Sequence, residues 1–152
     1  MPRAYIGIGS NLDDPRAQVL RAIDALAAFG TLEARSSIYR TAPWGETRQP
    51  DFMNAVVALQ TRFDPLSLFR ELKALERRFG RVETERRWGP RLLDLDVLLY
   101  AGVTKNTPDL TIPHPRLFER AFVLVPLAEI DDSYAVARDA LSPEQLKSVT
   151  KL

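Results

Sequence analysis

The 152-residue sequence contains no cysteine, which removes disulfides and thiolate metal sites from consideration and suits a reducing compartment. It has no N-terminal signal-like apolar segment and no apolar run of about 20 residues, so secretion and membrane spanning are not expected and a soluble, cytoplasmic protein is. Neither sign of charge is in excess: 21 Lys and Arg against 20 Asp and Glu leave a net charge of +1. No global field therefore draws the chain to nucleic acid or a membrane, and any basic site must be local. Repeats, low-complexity tracts and linkers are missing too, and a chain of this length is expected to form one domain, residues 1–152, with a real core. No Walker A sequence G-x-x-x-x-G-K-[ST] occurs, so a bound nucleotide would need side chains and metal to hold its phosphates. The Gly7-Ile8-Gly9 turn lacks the third glycine and the downstream acidic strand end of a dinucleotide fingerprint. Its glycines read instead as sites of close backbone packing.

What is present is concentrated between Arg87 and Tyr100, RWGPRLLDLDVLLY. Leu93, Leu95, Val97 and Leu99 alternate with Asp94, Asp96, Leu98 and Tyr100, the period of a strand with one face in a core. Both aspartates then share a face, roughly 7 Å apart at Cα, where their carboxylates can converge on two divalent cations about 3.5 to 4 Å apart. Trp88-Gly89-Pro90 makes a stiff bend that delivers Arg91 to the strand's entrance. Hard oxygen ligands beside permanently charged guanidinium groups suit magnesium and a polyphosphate together. A D-x-D in a strand is commonly just the wet face of an antiparallel sheet; the arginine and the W-G-P bend set this pair apart. Upstream, Arg77, Arg78 and Arg86 read as a solvated face, whereas Arg81, Arg87 and Arg91 flank a loop able to fold over the two aspartates. That loop is too polar for a core, and it is expected to open without ligands and close over them.

The remaining pattern is that of an α+β domain. Residues 4–9 read as a buried strand. Asp14-Pro15 opens a helix with the stripe Val19, Ile23, Leu26 and Ala27 and a stop at Gly30. Residues 32–41 and 52–63 alternate as strands around a long connection, and Asp64-Pro65 opens a second helix with the stripe Leu68, Leu72, Leu75 and Phe79, closed by Gly80. With the Asp94 strand the order is βαββαβ, the ferredoxin-like arrangement of helices on one face of an antiparallel sheet. Beyond it, 101–115 suggests loops with a short strand or hairpin, 116–130 a largely helical stretch, and Ser142-Pro143 the cap of a final short helix. Asn54 shares a strand face with Phe52.

RWGPRLLDLDVLL resembles the signature of the 6-hydroxymethyl-7,8-dihydropterin pyrophosphokinase family of folate biosynthesis. AYIGIGSNL, SSIYRTAPWG with QPDFMNAVVAL, and IPHPRLFERAFVLVPLAEI resemble further blocks of it, in order, over roughly residues 4 to 130. The resemblance implies transfer of pyrophosphate from ATP to the pterin's hydroxymethyl group with release of AMP. It implies two Mg2+ ions on Asp94 and Asp96, and Arg81 and Arg91 as catalytic phosphate-binding residues. It places ATP among Glu76, Arg81, Arg87, Arg91, Thr111, His114 and Arg120, with His114 contacting phosphate rather than acting as a base. The pterin falls to Thr41, Ala42, Trp44, Phe52, Asn54, Trp88 and Phe122, the two phenylalanines stacking on either side of the ring. Small molecules are the implied partners, with no nucleic acid, no membrane and a monomeric chain. Glu83 and Asp109 stand where some relatives carry basic residues, and Phe52 where tyrosine is common. Ferredoxin-like sheets also bind RNA, but no strand carries the aromatic R-G-F/Y-type motif that stacks bases. A different metal-dependent phosphoryl or nucleotidyl transferase is the other alternative, and the pterin pocket separates it.

Overall fold

The computed structural model describes residues 1–42, 48–80 and 92–152. Strand β1 (Arg3–Ser10) leads to helix α1 (Pro15–Leu26), then β2 (Gly30–Arg35), β3 (Tyr39–Thr41), β4 (Phe52–Thr61), helix α2 (Pro65–Arg78) and β5 (Asp94–Tyr100). A two-stranded ribbon, β6 (Lys105–Asn106) and β7 (Thr111–Ile112), follows. The chain finishes with α3 (Ala121–Ile130), α4 (Ala135–Asp139), α5 (Pro143–Lys147) and β8 (Val149–Lys151). The main sheet runs β5-β1-β4-β3-β8, with β2 on the same edge of β4 as β3, and its pairings are antiparallel. Treating β2 and β3 as one edge, this is the expected ferredoxin-like order.

Each face of the sheet buries its own core. Ala4, Ile6 and Ile8 of β1, Ala55, Val57 and Leu59 of β4, and Leu95 and Val97 of β5 meet the stripes of α1 and α2. The opposite residues Tyr5, Val56, Ala58 and Leu98 pack against Leu117 and against Val123, Leu124 and Leu127 of α3. The two helices of the βαββαβ core, α1 and α2, share one face as expected, and α3, from the C-terminal stretch, covers the other. It closes only the part near Tyr5, where the Tyr5 hydroxyl donates to Asp131 Oδ2 at 2.7 Å just past the helix.

Four local expectations change. The strand foreseen over 32–41 breaks at 36–38, because Ser36 feeds its own Oγ into the ladder: its amide donates to the Val56 carbonyl and the Val56 amide donates to Ser36 Oγ, both at 2.9 Å. A side chain replaces the backbone acceptor there, and the chain leaves the sheet. Gly30 does not stop α1, which ends at Leu26 and passes through a 3-10 turn, Ala27–Phe29; Ala27 is exposed and Ala22 takes its place in the stripe. Gly30 instead opens β2 in extended conformation, where a β-carbon would stand 2.1 Å from the Gln60 carbonyl oxygen. The alternation of β5 holds only to Leu98: a register shift against β1 puts Leu99 on the α3 side and Tyr100 in the α1–α2 core. Finally, the largely helical stretch foreseen over 116–130 is a 3-10 turn, Leu117–Glu119, and then α3, separated by Arg120 in extended conformation. The other landmarks stand, including the Asp64 cap, the Gly80 stop in left-handed conformation and the Ser142–Gln145 capping box.

The outer edge of the sheet is tied to α3 by one carboxylate. Glu129 accepts from the Ser37 amide at 2.9 Å, the Ser37 hydroxyl at 2.8 Å and the Tyr39 hydroxyl at 2.6 Å. Burial opposes its ionisation, but these donors prevail and hold the carboxyl below its ordinary range. Such a group stabilises the fold fully above its unfolded pKa, and the contribution is lost as pH falls through the lower folded value. Glu129→Gln is therefore expected to cost about 1 to 2 kcal/mol at neutral pH and to lessen the loss of stability on acidification below about pH 4.5. Thermal melts of both proteins from pH 3 to 7 check this; parallel curves would remove Glu129 as an acid-sensitive tie.

Candidate active site

The site is built on the α3 side of the sheet, at the end of β1 remote from Tyr5. There β1 places Gly7 and Gly9 between the two strands that carry the chemistry. Gly9 pairs with Asn54 on one side and Asp94 on the other, and Gly7 with Val56 and Asp96. Neighbouring strands lie about 4.8 Å apart, so Asn54 and Asp94 face each other across roughly 10 Å of floor without side chains. The floor is tight. A β-carbon on Gly9 would stand 2.9 Å from Asn54 Oδ1, and one on Gly7 3.4 Å from the Leu98 methyls.

On the β4 side, Asn54 is 6% exposed and donates through Nδ2 to Thr41 Oγ1 at 2.8 Å. That bond fixes which way the amide points and leaves its other donor and its carbonyl oxygen to a ligand. Thr41 ends β3, Ala42 beyond it is exposed, and Phe52 is half-buried at the start of β4. Nearby, Asn11 Nδ2 donates to Gln49 Oε1 at 2.8 Å and the Pro50 carbonyl at 2.9 Å, tying the chain entering β4 to the end of β1. Phe122 packs at the rim of the α3-side core with the Arg120 guanidinium 5.3 Å from its ring centre.

On the β5 side, Asp94 and Asp96 are half-buried on one face. Among the described residues no group of three His, Cys, Asp or Glu could hold a metal ion. Two hard carboxylates alone are a poor cage for a resident calcium or zinc, but they fit magnesium, which takes one or two carboxylates and completes its shell with water and substrate phosphate. His114 is held beside β5 by its amide, which donates to the Leu98 carbonyl at 2.9 Å. Its Nδ1 accepts from the Arg116 amide at 3.2 Å, so the proton of the neutral ring sits on Nε2. Burial pushes His114 below its ordinary pKa; Asp96 pulls the other way, while Arg120, Arg116 and Lys73 add to the depression. His114 is therefore a neutral donor at physiological pH. Burial likewise lowers the Arg120 pKa, with Arg116 adding to the depression and Asp96, Asp94 and Glu119 pulling the other way. Thr111 lies on β7, which packs beside β5, and Asp109 is exposed in the preceding turn.

Thr41, Phe52, Asn54, Asp94 and Asp96 thus come together as the sequence indicated, with His114 and Arg120 at the carboxylate end. Glu76 stands apart: it is 2% exposed and reaches Leu95 from α2, behind the strand. Trp44, Arg81, Arg87, Trp88 and Arg91, together with Glu83 and the loop expected to close, lie outside the described residues. Sequence reasoning missed Lys73, whose only signal was its i, i+3 spacing to Glu76, while the close packing it expected at Gly7 and Gly9 is present.

The sequence model of the family described as 7,8-dihydro-6-hydroxymethylpterin-pyrophosphokinase (HPPK) matches residues 5–132. A 2-amino-4-hydroxy-6-hydroxymethyldihydropteridine pyrophosphokinase of Methylorubrum extorquens is 49% identical over 86% of this chain and 83% of its own. One of Haemophilus influenzae is 41% identical over 97% and 92%. A Plasmodium falciparum HPPK-DHPS crystal structure with pteroate superposes with a TM-score of 0.74 at 13% identity. It covers 99% of this chain, which spans only 46% of that longer one, and at that identity the likeness concerns the fold alone.

The glycine floor makes a discriminating pair of variants. Gly9→Ala is expected to push Asn54 off Thr41 and to cost about 1 to 3 kcal/mol in stability, while Gly7→Ala, meeting only methyl groups at ordinary contact distance, costs less. Urea unfolding ranks the two, and the Asn54 side-chain amide resonances report its displacement. Equal costs with unmoved resonances would show that the floor tolerates a methyl group.

Proposed function

The chain belongs to the 7,8-dihydro-6-hydroxymethylpterin-pyrophosphokinase family, and we propose that it moves the pyrophosphoryl group of ATP onto the hydroxymethyl oxygen of 6-hydroxymethyl-7,8-dihydropterin, releasing AMP. Its activity is that of a pyrophosphokinase of folate biosynthesis. The observation that carries the finer reading is the single sheet face on which Asn54 and the Asp94–Asp96 pair stand at opposite sides of a glycine floor. One end offers hydrogen bonds to a flat polar heterocycle and the other holds hard oxygen charge for a metal–polyphosphate. The reacting oxygen and the β-phosphorus would then meet over β1.

In this reading the half-committed amide of Asn54 pairs with the pterin edge, and Phe52 and Phe122 stack on its faces. Thr41 holds the amide, and Ala42, Trp44 and Trp88 complete the pocket. Two magnesium ions, held by Asp94 and Asp96, would supply charge neutralisation and alignment of the triphosphate. His114 Nε2–H and the Arg120 guanidinium donate to phosphate oxygens, Arg87 and Thr111 complete the nucleotide site, and Arg81 and Arg91 stabilise charge developing on the transferred group. Little covalent work is left to the protein: the bond between the β-phosphorus and the α–β bridging oxygen breaks as the pterin oxygen attacks in line, so catalysis is positioning and electrostatics. The enzyme would act as a cytoplasmic monomer on small molecules; among the described residues no helix is long and apolar enough to cross a membrane.

Incubation with ATP, Mg2+ and hydroxymethyl-dihydropterin should yield AMP, and its absence would end the proposal. Asp94→Asn and Asp96→Asn are each expected to lower turnover by about 1000-fold with the fold intact, since asparagine keeps the shape but not the charge; near-normal AMP formation by either would dismiss the metal assignment. Asn54→Ala should weaken pterin binding by about 1 to 3 kcal/mol and leave ATP binding alone. Calorimetry finding equal losses for both ligands would move Asn54 out of the pterin pocket.

A further inference from the structure

Among the described residues, β5 is the end strand of the sheet, with β1 on one side only. An edge strand normally offers its outward N–H and C=O groups to water. At Leu95, between the two aspartates, both groups are taken by side chains of α2. The Leu95 amide donates to Glu76 Oε2 at 2.7 Å, and its carbonyl accepts from Lys73 Nζ at 3.0 Å. Lys73 and Glu76 close the loop with their own ion pair at 2.9 Å.

Resting on the reading of Asp94 and Asp96 as the magnesium ligands, we infer that Lys73 and Glu76 are positioning residues for that metal, acting through the backbone of Leu95. Peptide geometry is the reason. The Leu95 N–H belongs to the planar unit shared with Asp94, and the Leu95 C=O to the unit shared with Asp96. Each α2 side chain thus orients the peptide plane from which one carboxylate hangs. From β1 the aspartates meet only Gly9 and Gly7, which offer no side chain, whereas α2 reaches the backbone between them. The register shift near Leu98 also leaves the strand a point at which it could slide. A carboxylate 2% exposed is an expensive way to fill a core, where an apolar side chain serves as well or better. What the charged pair provides, and a leucine does not, is two directed bonds to one residue.

Lys73→Met removes the Leu95 carbonyl donor, and Glu76→Ala removes the amide acceptor. Mn2+ binding, followed by electron paramagnetic resonance with a non-hydrolysable ATP analogue present, is expected to weaken about tenfold in each. Glu76→Gln, which keeps an acceptor oxygen, should lose less, and Lys73→Arg should restore most of the affinity. Hydroxymethyl-dihydropterin affinity should stay within about twofold, and the Mg2+ needed for half-maximal AMP formation should rise in step with the Mn2+ result. If Lys73→Met does not fold, the shorter, neutral Lys73→Gln takes its place. Wild-type Mn2+ affinity in variants that only melt earlier would overturn the inference, as would weaker binding of the analogue measured without metal. A wild-type protein that binds Mn2+ but makes no AMP would instead overturn the pyrophosphokinase reading, so the two failures are distinct.

Discussion

Gly7 and Gly9 keep one face of β1 bare, where a β-carbon on Gly9 would crowd Asn54 Oδ1 at 2.9 Å and one on Gly7 would touch the Leu98 side chain at 3.4 Å. The central strand therefore does two jobs in alternate residues: Ala4, Ile6 and Ile8 bury themselves under α1 and α2, while half-buried Gly7 and buried Gly9 leave the opposite side without side chains. A floor of backbone can bring ligand groups from β4 and β5 within one small molecule's reach, which no strand with side chains could allow. It also gives up lateral support, and the rest of the site is arranged to replace it from outside the sheet.

That support arrives at both edges. On the β5 edge, α2 holds Leu95 through Lys73 and Glu76, and the backbone of His114 takes the Leu98 carbonyl. On the other edge, Glu129 of α3 holds Ser37 and Tyr39, and β8 pairs with β3. Thr41, which directs the Asn54 amide, lies on that braced strand. Long-range hydrogen bonds thus place the two ends of the site, and the apolar cores supply the rigid layer to which they are fastened.

The sequence made the layout legible where periodicity and caps speak directly. Val19, Ile23 and Leu26 of α1, Leu68, Leu72 and Leu75 of α2, and the shared face of Asp94 and Asp96 all follow from spacing. It misled where a side chain competes with the backbone. Nothing in the pattern over 32–41 says that Ser36 will lend its hydroxyl to the ladder, and nothing over 93–100 marks the slip that exchanges Leu99 and Tyr100 between faces. Gly30 resembled a helix stop because glycine serves left-handed turns and close contacts equally, and only the neighbouring Gln60 carbonyl decides which. The candidate site residues were named largely through family resemblance. Asn54, Thr41 and Phe122 have no local signal, since their meaning lies in strands and a helix far apart in the chain.

The pairing of β8 with β3 bears on how the protein is made. The ribosome delivers β3 early and residues 149–151 roughly a hundred residues later, a delay on the order of ten seconds at ordinary elongation rates. Through that interval β4 can pair with β3, but the outer edge of β3 stays open to any other extended chain. Glu129 and Lys151 arrive in the same late stretch and cover the hydroxyls of Ser37 and Tyr39 together with that edge. The border of the sheet at Thr41 is therefore among the last parts to be sealed, and a nascent or truncated chain would present it as a sticky edge.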